Sequence, residues 1–177
     1  MTRSELQDLA RQVAVSNGLP PEGFVAQIGQ ESSWDPNAVS PVGAMGLAQF
    51  MPATWAEWGT GADPFDPLAS LSAGARYMRW IKQWLISQGL TGSWSESLAA
   101  YNWGIGNVRN SWNNYGEGWL VFAPQETRNY VAKIAPYYKA APLPGVELPD
   151  ETNGQVGKTI PAIAIVVVSG LILWGLS

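Results

Sequence analysis

The sequence predicts a mainly α-helical domain, then a Pro/Gly-rich linker and a C-terminal transmembrane helix. Three observations carry this. Apolar residues recur at helical spacing between recognisable caps, and no stretch alternates convincingly at period two. From about residue 141 the composition shifts to Pro142, Pro144, Gly145, Pro149 and Gly154, interspersed with Glu147, Asp150 and Glu151. Finally, no residue from Ile160 to Leu176 is charged, and Lys158 stands just before that run. The expected boundaries are 1–140 for the folded domain, 141–158 for the linker and 159–177 for the membrane segment.

In chain order, Thr2-Arg3-Ser4-Glu5 fits a capping box, and Leu6, Leu9, Ala10, Val13 and Ala14 form one apolar face behind it. Asn17-Gly18 stops that helix, and Pro20-Pro21 starts the next where proline is tolerated. Phe24, Val25 and Ile28 supply its buried side, and Glu31 ends it. Asp35-Pro36-Asn37 and Ser40-Pro41-Val42-Gly43 are turn-rich, which predicts a loop or short hairpin. Pro52 opens a third helix that runs through Trp55 and Trp58 to Gly59. Asp66-Pro67 is a cap followed by a first-turn proline for a long fourth helix, with Leu68, Leu71, Ala75, Met78, Ile81 and Leu85 on its inner face and Gln88-Gly89 at its end.

Ser93-Trp94-Ser95-Glu96 is another capping box, leading into Leu98 to Asn102. Gly104 and Gly106 interrupt, a short helix is expected near Val108 to Trp112, and Asn113 to Gly116 reads as loop. Pro124 opens the last helix of the domain, with Tyr130, Val131, Ile134 and Tyr137 on its inner side. Beyond the linker, the uncharged run of about 17 residues would span ~26 Å as a helix, at the short end of a membrane crossing. Pro161 suits its first turn and Trp174 an interface.

The chain has 177 residues, room for one ordinary domain and its core. Its ten tryptophans either fill that core or, for some, present flat rings to a sugar. A net charge of -4 with no basic stripe argues against a nucleic-acid partner. The absence of cysteine and histidine removes disulfides, thiol nucleophiles, Ser-His triads and most transition-metal sites. No metal or cofactor is therefore expected, and any catalysis must use carboxylates, hydroxyls or lysines. Met1 to Asn17 mixes charges with apolar residues and does not read as a secretory signal.

The chemistry is expected around Glu31 and the stretch Gly43-Ala44-Met45-Gly46-Leu47-Ala48-Gln49-Phe50-Met51-Pro52. Glycines at that density let backbone approach a ligand closely. A glutamine there offers both a donor and an acceptor to a polar substrate. A carboxylate at a helix C-terminus faces the negative end of the dipole, which disfavours ionisation, and an apolar setting raises its pKa further. Those conditions suit a general acid working near neutral pH.

Glu31-Ser32, followed by Asn37 to Trp55, closely resembles the signature of the SLT-type soluble lytic transglycosylases. Ala100-Tyr101-Asn102-Trp103-Gly104 and Glu126-Thr127-Arg128-Asn129-Tyr130-Val131 resemble that family's second and third motifs, in order. The resemblance covers roughly residues 1 to 140. It implies a lysozyme-like helical domain with a groove for the glycan strands of peptidoglycan. It implies Glu31 as the single catalytic acid, protonating the oxygen between N-acetylmuramic acid and N-acetylglucosamine and then acting as base on the muramyl 6-hydroxyl. Ser40, Gln49, Met51, Tyr101, Asn102, Glu126 and Tyr130 match positions that line or support the groove.

Core packing for Tyr101 and Tyr130, and helix N-terminal charge for Glu126, are the plainer readings of those residues. Asp35, Asp63 and Asp66 sit in turns or caps, so no second carboxylate stands out as a nucleophile. A hydrolytic muramidase on the same fold and a non-catalytic wall-binding module are the alternatives. The implied substrate lies outside the cytoplasm and the apolar run would anchor the chain in a membrane. The expectation is therefore a phage virion protein on an internal membrane or vertex, alongside other virion proteins, with a conjugation or secretion-system enzyme as the alternative.

Overall fold

The computed structural model describes residues 1–138, which form seven α-helices and one 3₁₀ turn. The linker and membrane segment expected at 141–158 and 159–177 lie outside the described residues. Among the described residues, no helix is long and apolar enough to cross a membrane.

Helix α1 (Arg3–Ser16) starts with the expected capping box: the Thr2 side chain accepts from the Glu5 amide, and the Glu5 side chain accepts from the Thr2 amide. Helix α2 (Pro21–Ser32) has proline at its first position and buries Phe24, Gln27 and Ile28. Val25 is only partly buried against the core. Loop 33–51 then folds on itself through antiparallel bridges of Met45 with Val39 and with Phe50, which is the short hairpin-like turn the sequence predicts. Helix α3 (Pro52–Trp58) follows, capped at Gly59.

Helix α4 (Pro67–Ser87) has Asp66 at its N-cap, with the carboxylate accepting from the Ala69 amide at 2.7 Å. Leu71, Ala75, Met78, Ile81 and Leu85 line the core as expected, but Leu68 does not and is 53% exposed. It lies in the first turn, before α4 is covered by its neighbours, and Ser70 takes the inward place there.

Helix α5 (Trp94–Trp103) carries the second capping box, Ser93 with Glu96. Helix α6 (Ile105–Tyr115) is longer than expected. Only Gly104, at φ 99°, breaks the chain, while Gly106 is helical and Asn113 to Tyr115 are helix rather than loop. A 3₁₀ turn (Gly116–Phe122) leads to α7 (Gln125–Tyr138). On α7 Tyr130 is buried as expected, but the second buried tyrosine is Tyr138 rather than Tyr137, which is 54% exposed.

Helices α2 and α5 both pack on α7, with α1 and α4 closing the outer sides. Gly23 lets α2 and α7 meet: a Cβ there would stand 2.5 Å from Cγ of Tyr138. The tryptophans mostly serve packing. Trp34, Trp55 and Trp119 are buried, and Trp58, Trp80, Trp84, Trp94, Trp103 and Trp112 lie partly buried against the core. Trp58, Tyr77 and Trp80 form one aromatic cluster, with centroids 5.1 to 5.8 Å apart.

Candidate active site

Glu31 lies in the last turn of α2, and the chain leaves that helix abruptly. Ser33 (φ 52°) and Trp34 (φ 72°) are both in the left-handed region, uncommon for non-glycine residues and strained for a bulky one. The turn is held by the Ser32 hydroxyl, which accepts from the Trp34 amide at 3.2 Å, and by the buried Trp34 indole lying against Gly29. Ser32 thus shapes the turn that presents Glu31.

The Glu31 carboxyl is partly buried, and its surroundings come from helices distant in sequence. The Tyr130 hydroxyl on α7 donates to its Oε1. Desolvation raises its pKa from 4.5 to about 7, the Tyr130 hydrogen bond opposes that rise, and the Glu126 charge adds to it. Burial, and then the nearby Glu31 charge, raise the hydroxyls of Tyr101, Tyr130 and Tyr138 well above the ordinary phenol value, so all three remain neutral donors.

The glycine loop is tied to the same centre. Its Ala48 amide donates to Ser70 Oγ at 3.1 Å, and the Ala48 carbonyl accepts from the Tyr101 hydroxyl at 2.6 Å. Gly46 has φ 70°, and a Cβ on it would fall 2.1 Å from the Pro64 carbonyl oxygen, so only glycine fits. Gln49, also left-handed at φ 49°, donates from Nε2 to the carbonyls of Gly46 (2.8 Å) and Ala38 (3.3 Å). Those bonds fix its amide and leave Oε1 as its remaining acceptor. Ser40 Oγ accepts from the Ala44 amide at 3.0 Å, and Met51 is the partly buried N-cap of α3. Asn102 Oδ1 accepts from Thr127 Oγ1 at 2.8 Å, joining α5 to α7 beside Tyr130.

Tyr101, Tyr130 and Glu126 are thereby placed by the structure in the electrostatic surroundings of Glu31. Ser40, Gln49 and Met51 shape or flank the glycine loop, and Asn102 joins the two motif helices. Sequence reasoning passed over Gln27 and Tyr138, and gave Thr127 no role beyond its place in the third motif. Gln27 carried a signal, a polar residue between Phe24 and Ile28 four positions before Glu31. The acids weighed in the sequence have structural work: Asp35 Oδ1 accepts from the Asn37 amide, Asp63 Oδ1 from that of Phe65, and Asp66 caps α4. A cavity of about 370 Å³ lies between α1, α2 and α7, with Arg3, Gln7, Lys133 and Tyr137 among its lining residues; Glu31 does not line it. Among the described residues there is no cluster of acidic side chains able to hold a metal ion.

The model of the Transglycosylase SLT domain matches residues 8–118, which include Glu31, the glycine loop and Tyr101. The chain belongs to the SLT transglycosylase family. The matched SLT region ends before α7, so Glu126 and Tyr130 join the site from outside it. The chain is 30% identical over 146 residues to the soluble lytic murein transglycosylase of Escherichia coli K12, covering 73% of this chain and 22% of that protein. It is 34% identical over 107 residues to membrane-bound lytic murein transglycosylase F of Alcanivorax borkumensis, covering 59% of this chain and 22% of the relative.

Among solved structures, the 70 kDa soluble lytic transglycosylase of Escherichia coli superposes with TM-score 0.63 at 30% identity, covering 74% of this chain and 23% of that one. An inactive glutamate-to-glutamine variant of lytic transglycosylase Slt from Pseudomonas aeruginosa superposes with TM-score 0.63 at 26% identity, covering 74% of this chain and 23% of that one. The chain thus spans less than a quarter of the length of these relatives.

Proposed function

We propose that the chain is a peptidoglycan lytic transglycosylase that cleaves the β-1,4 bond between N-acetylmuramic acid and N-acetylglucosamine. The observation that carries the reading is Glu31: a partly buried carboxyl with a pKa raised to about 7, gripped by Tyr130. At neutral pH a large fraction of it holds a proton, as a general acid requires. Glu31 gives that proton to the glycosidic oxygen as the C1–O bond breaks. The carboxylate then takes the proton of the muramyl 6-hydroxyl while that oxygen closes on C1. The product is a 1,6-anhydro end, no water is added, and Glu31 finishes protonated as it began. Gln49 and Met51 in the loop, and Tyr101 and Asn102 from α5, serve glycan binding, with Ser40 and Glu126 supporting the groove. The match to relatives named lytic murein transglycosylases, and the inactivity of a glutamate-to-glutamine variant of lytic transglycosylase Slt, support this reading.

The test is release of soluble fragments from purified peptidoglycan by the full chain and by Glu31→Gln. The variant should bind glycan and release nothing. Substantial residual cleavage would move the acid elsewhere, and no release by the folded native chain would favour a wall-binding module. Hydrolysis on the same fold is the second reading. One observation favours it: Glu126 is a carboxylate close enough to raise the Glu31 pKa, and a second carboxylate is what activates water in inverting glycosidases.

The finer proposal is that the uncharged run 160–176 anchors the enzyme in a membrane through the Pro/Gly-rich linker, and that a phage virion carries it for local wall opening during entry. The tail composition supports the anchor, and a wall-cutting domain on an anchor suits a particle with an internal membrane. Recovery in purified virions would support this role; presence only in the host envelope would sink it.

A further inference from the structure

Gln27 is a fully buried residue of α2, 0% exposed, between Phe24 and Ile28. Its Oε1 accepts from the Tyr138 hydroxyl at 2.6 Å. Its Nε2 is the one buried side-chain nitrogen or oxygen among the described residues with no hydrogen-bond partner. Buried donors of this kind are few in native folds, and leaving one unpaired costs stability. The position of this donor gives it a use. Gln27 and Glu31 are four residues apart on one helix, so they share a face, and Tyr138, which holds the Gln27 amide, also feels the Glu31 charge. Glu31 Oε1 is taken by Tyr130. Its other oxygen has no protein donor among the described residues.

We propose that Gln27 is a positioning residue for Glu31: its Nε2 donates to the second carboxylate oxygen once Glu31 has given up its proton, and Tyr138 holds the amide in the orientation this requires. The proposal rests on the reading of Glu31 as the catalytic acid. One carboxyl must serve first as acid and then as base, and in its second role it is a partly buried anion with Tyr130 as its one protein donor. A second donor stabilises that anion and holds it in one rotamer for the 6-hydroxyl. In the protonated state the bond is not required and the amide waits unpaired. The titratable groups that face Glu31 are Tyr101 on α5 and Glu126, Tyr130 and Tyr138 on α7. The tyrosines stay neutral while Glu31 titrates, so the amide acts on a single ionisation.

The test is a ¹³C NMR titration of the Glu31 side-chain carboxyl in the full chain, assigned by its loss in Glu31→Gln. Gln27→Met keeps the volume and removes the donor. It should raise the Glu31 midpoint by about one pH unit, the value of one hydrogen bond to a charged group. The alkaline limb of kcat/KM should move with it. Tyr138→Phe, which frees the amide to rotate, should move the midpoint the same way by less. This second variant decides the matter if Gln27→Met does not fold. A native midpoint in the folded variant overturns the proposal, even if activity falls, because a purely structural role would not move the titration. Cleavage by Glu31→Gln would instead strike the reading of the acid itself.

Discussion

The Tyr130 hydroxyl donates a hydrogen bond to the Glu31 carboxyl across 99 positions of sequence, joining the C-terminal end of α2 to α7. This bond favours the ionised carboxyl, against the desolvation that raises its pKa to about 7. Removing it with Tyr130→Phe should therefore push the Glu31 midpoint higher still. The alkaline limb of the kcat/KM profile should move up, while the rate at its optimum falls about tenfold because the base step loses its donor. A pH–rate profile of the variant checks both.

Glu31 also makes stability depend on pH. A carboxyl whose pKa rises on folding binds more protons in the folded state. Its contribution is fully present below pH 4.5 and is lost as pH climbs through about 7. At about 1.4 kcal/mol per pH unit, burial of the anion costs up to about 3 kcal/mol above that range. Glu31→Gln should therefore be more stable than the native chain at pH 8 and close to it at pH 4. Denaturant melts at the two pH values measure the difference.

Much of the helical frame was legible. Thr2 with Glu5, Asp66 with Pro67, and Ser93 with Glu96 mark three helix starts by local chemistry alone, and each is found as expected. Errors arose where local signals were ambiguous. Gly104 and Gly106 both read as breakers, yet only the first takes a positive φ. Tyr137 and Tyr138 are adjacent, and a rotation of about 100° per residue decides which is buried; the contact of Tyr138 with Gly23 decides it. Motif resemblance singled out Glu31, Tyr101 and Tyr130, but spacing could not show that they converge. The left-handed turn at Ser33 and Trp34 and the unpaired amide of Gln27 are products of tertiary packing.

Tyr101 ties α5 to the glycine loop through the buried Ala48 carbonyl. Tyr101→Phe should cost about 1–2 kcal/mol, because the carbonyl loses a partner it cannot replace with water. Cleavage should also fall as the loop loosens. Chemical denaturation and fragment release report the two effects separately.

Two glycines should respond in opposite ways to alanine. Gly46→Ala meets the Pro64 carbonyl oxygen at 2.1 Å and a disfavoured φ, so a loss above about 2 kcal/mol is expected. Gly106 lies inside α6 with nothing within 4 Å of an added Cβ, and Gly106→Ala should stabilise by about 0.5–1 kcal/mol. Thermal melts of the pair would show the split.

The central claim is that one carboxyl, Glu31, serves as both acid and base with no water added. Mass spectrometry of fragments released from purified peptidoglycan by the full chain tests it most directly. The account predicts 1,6-anhydro-muramyl ends, each lighter by one water than the hydrolytic product. Reducing muramic ends would contradict it and turn attention to Glu126 as a second carboxylate.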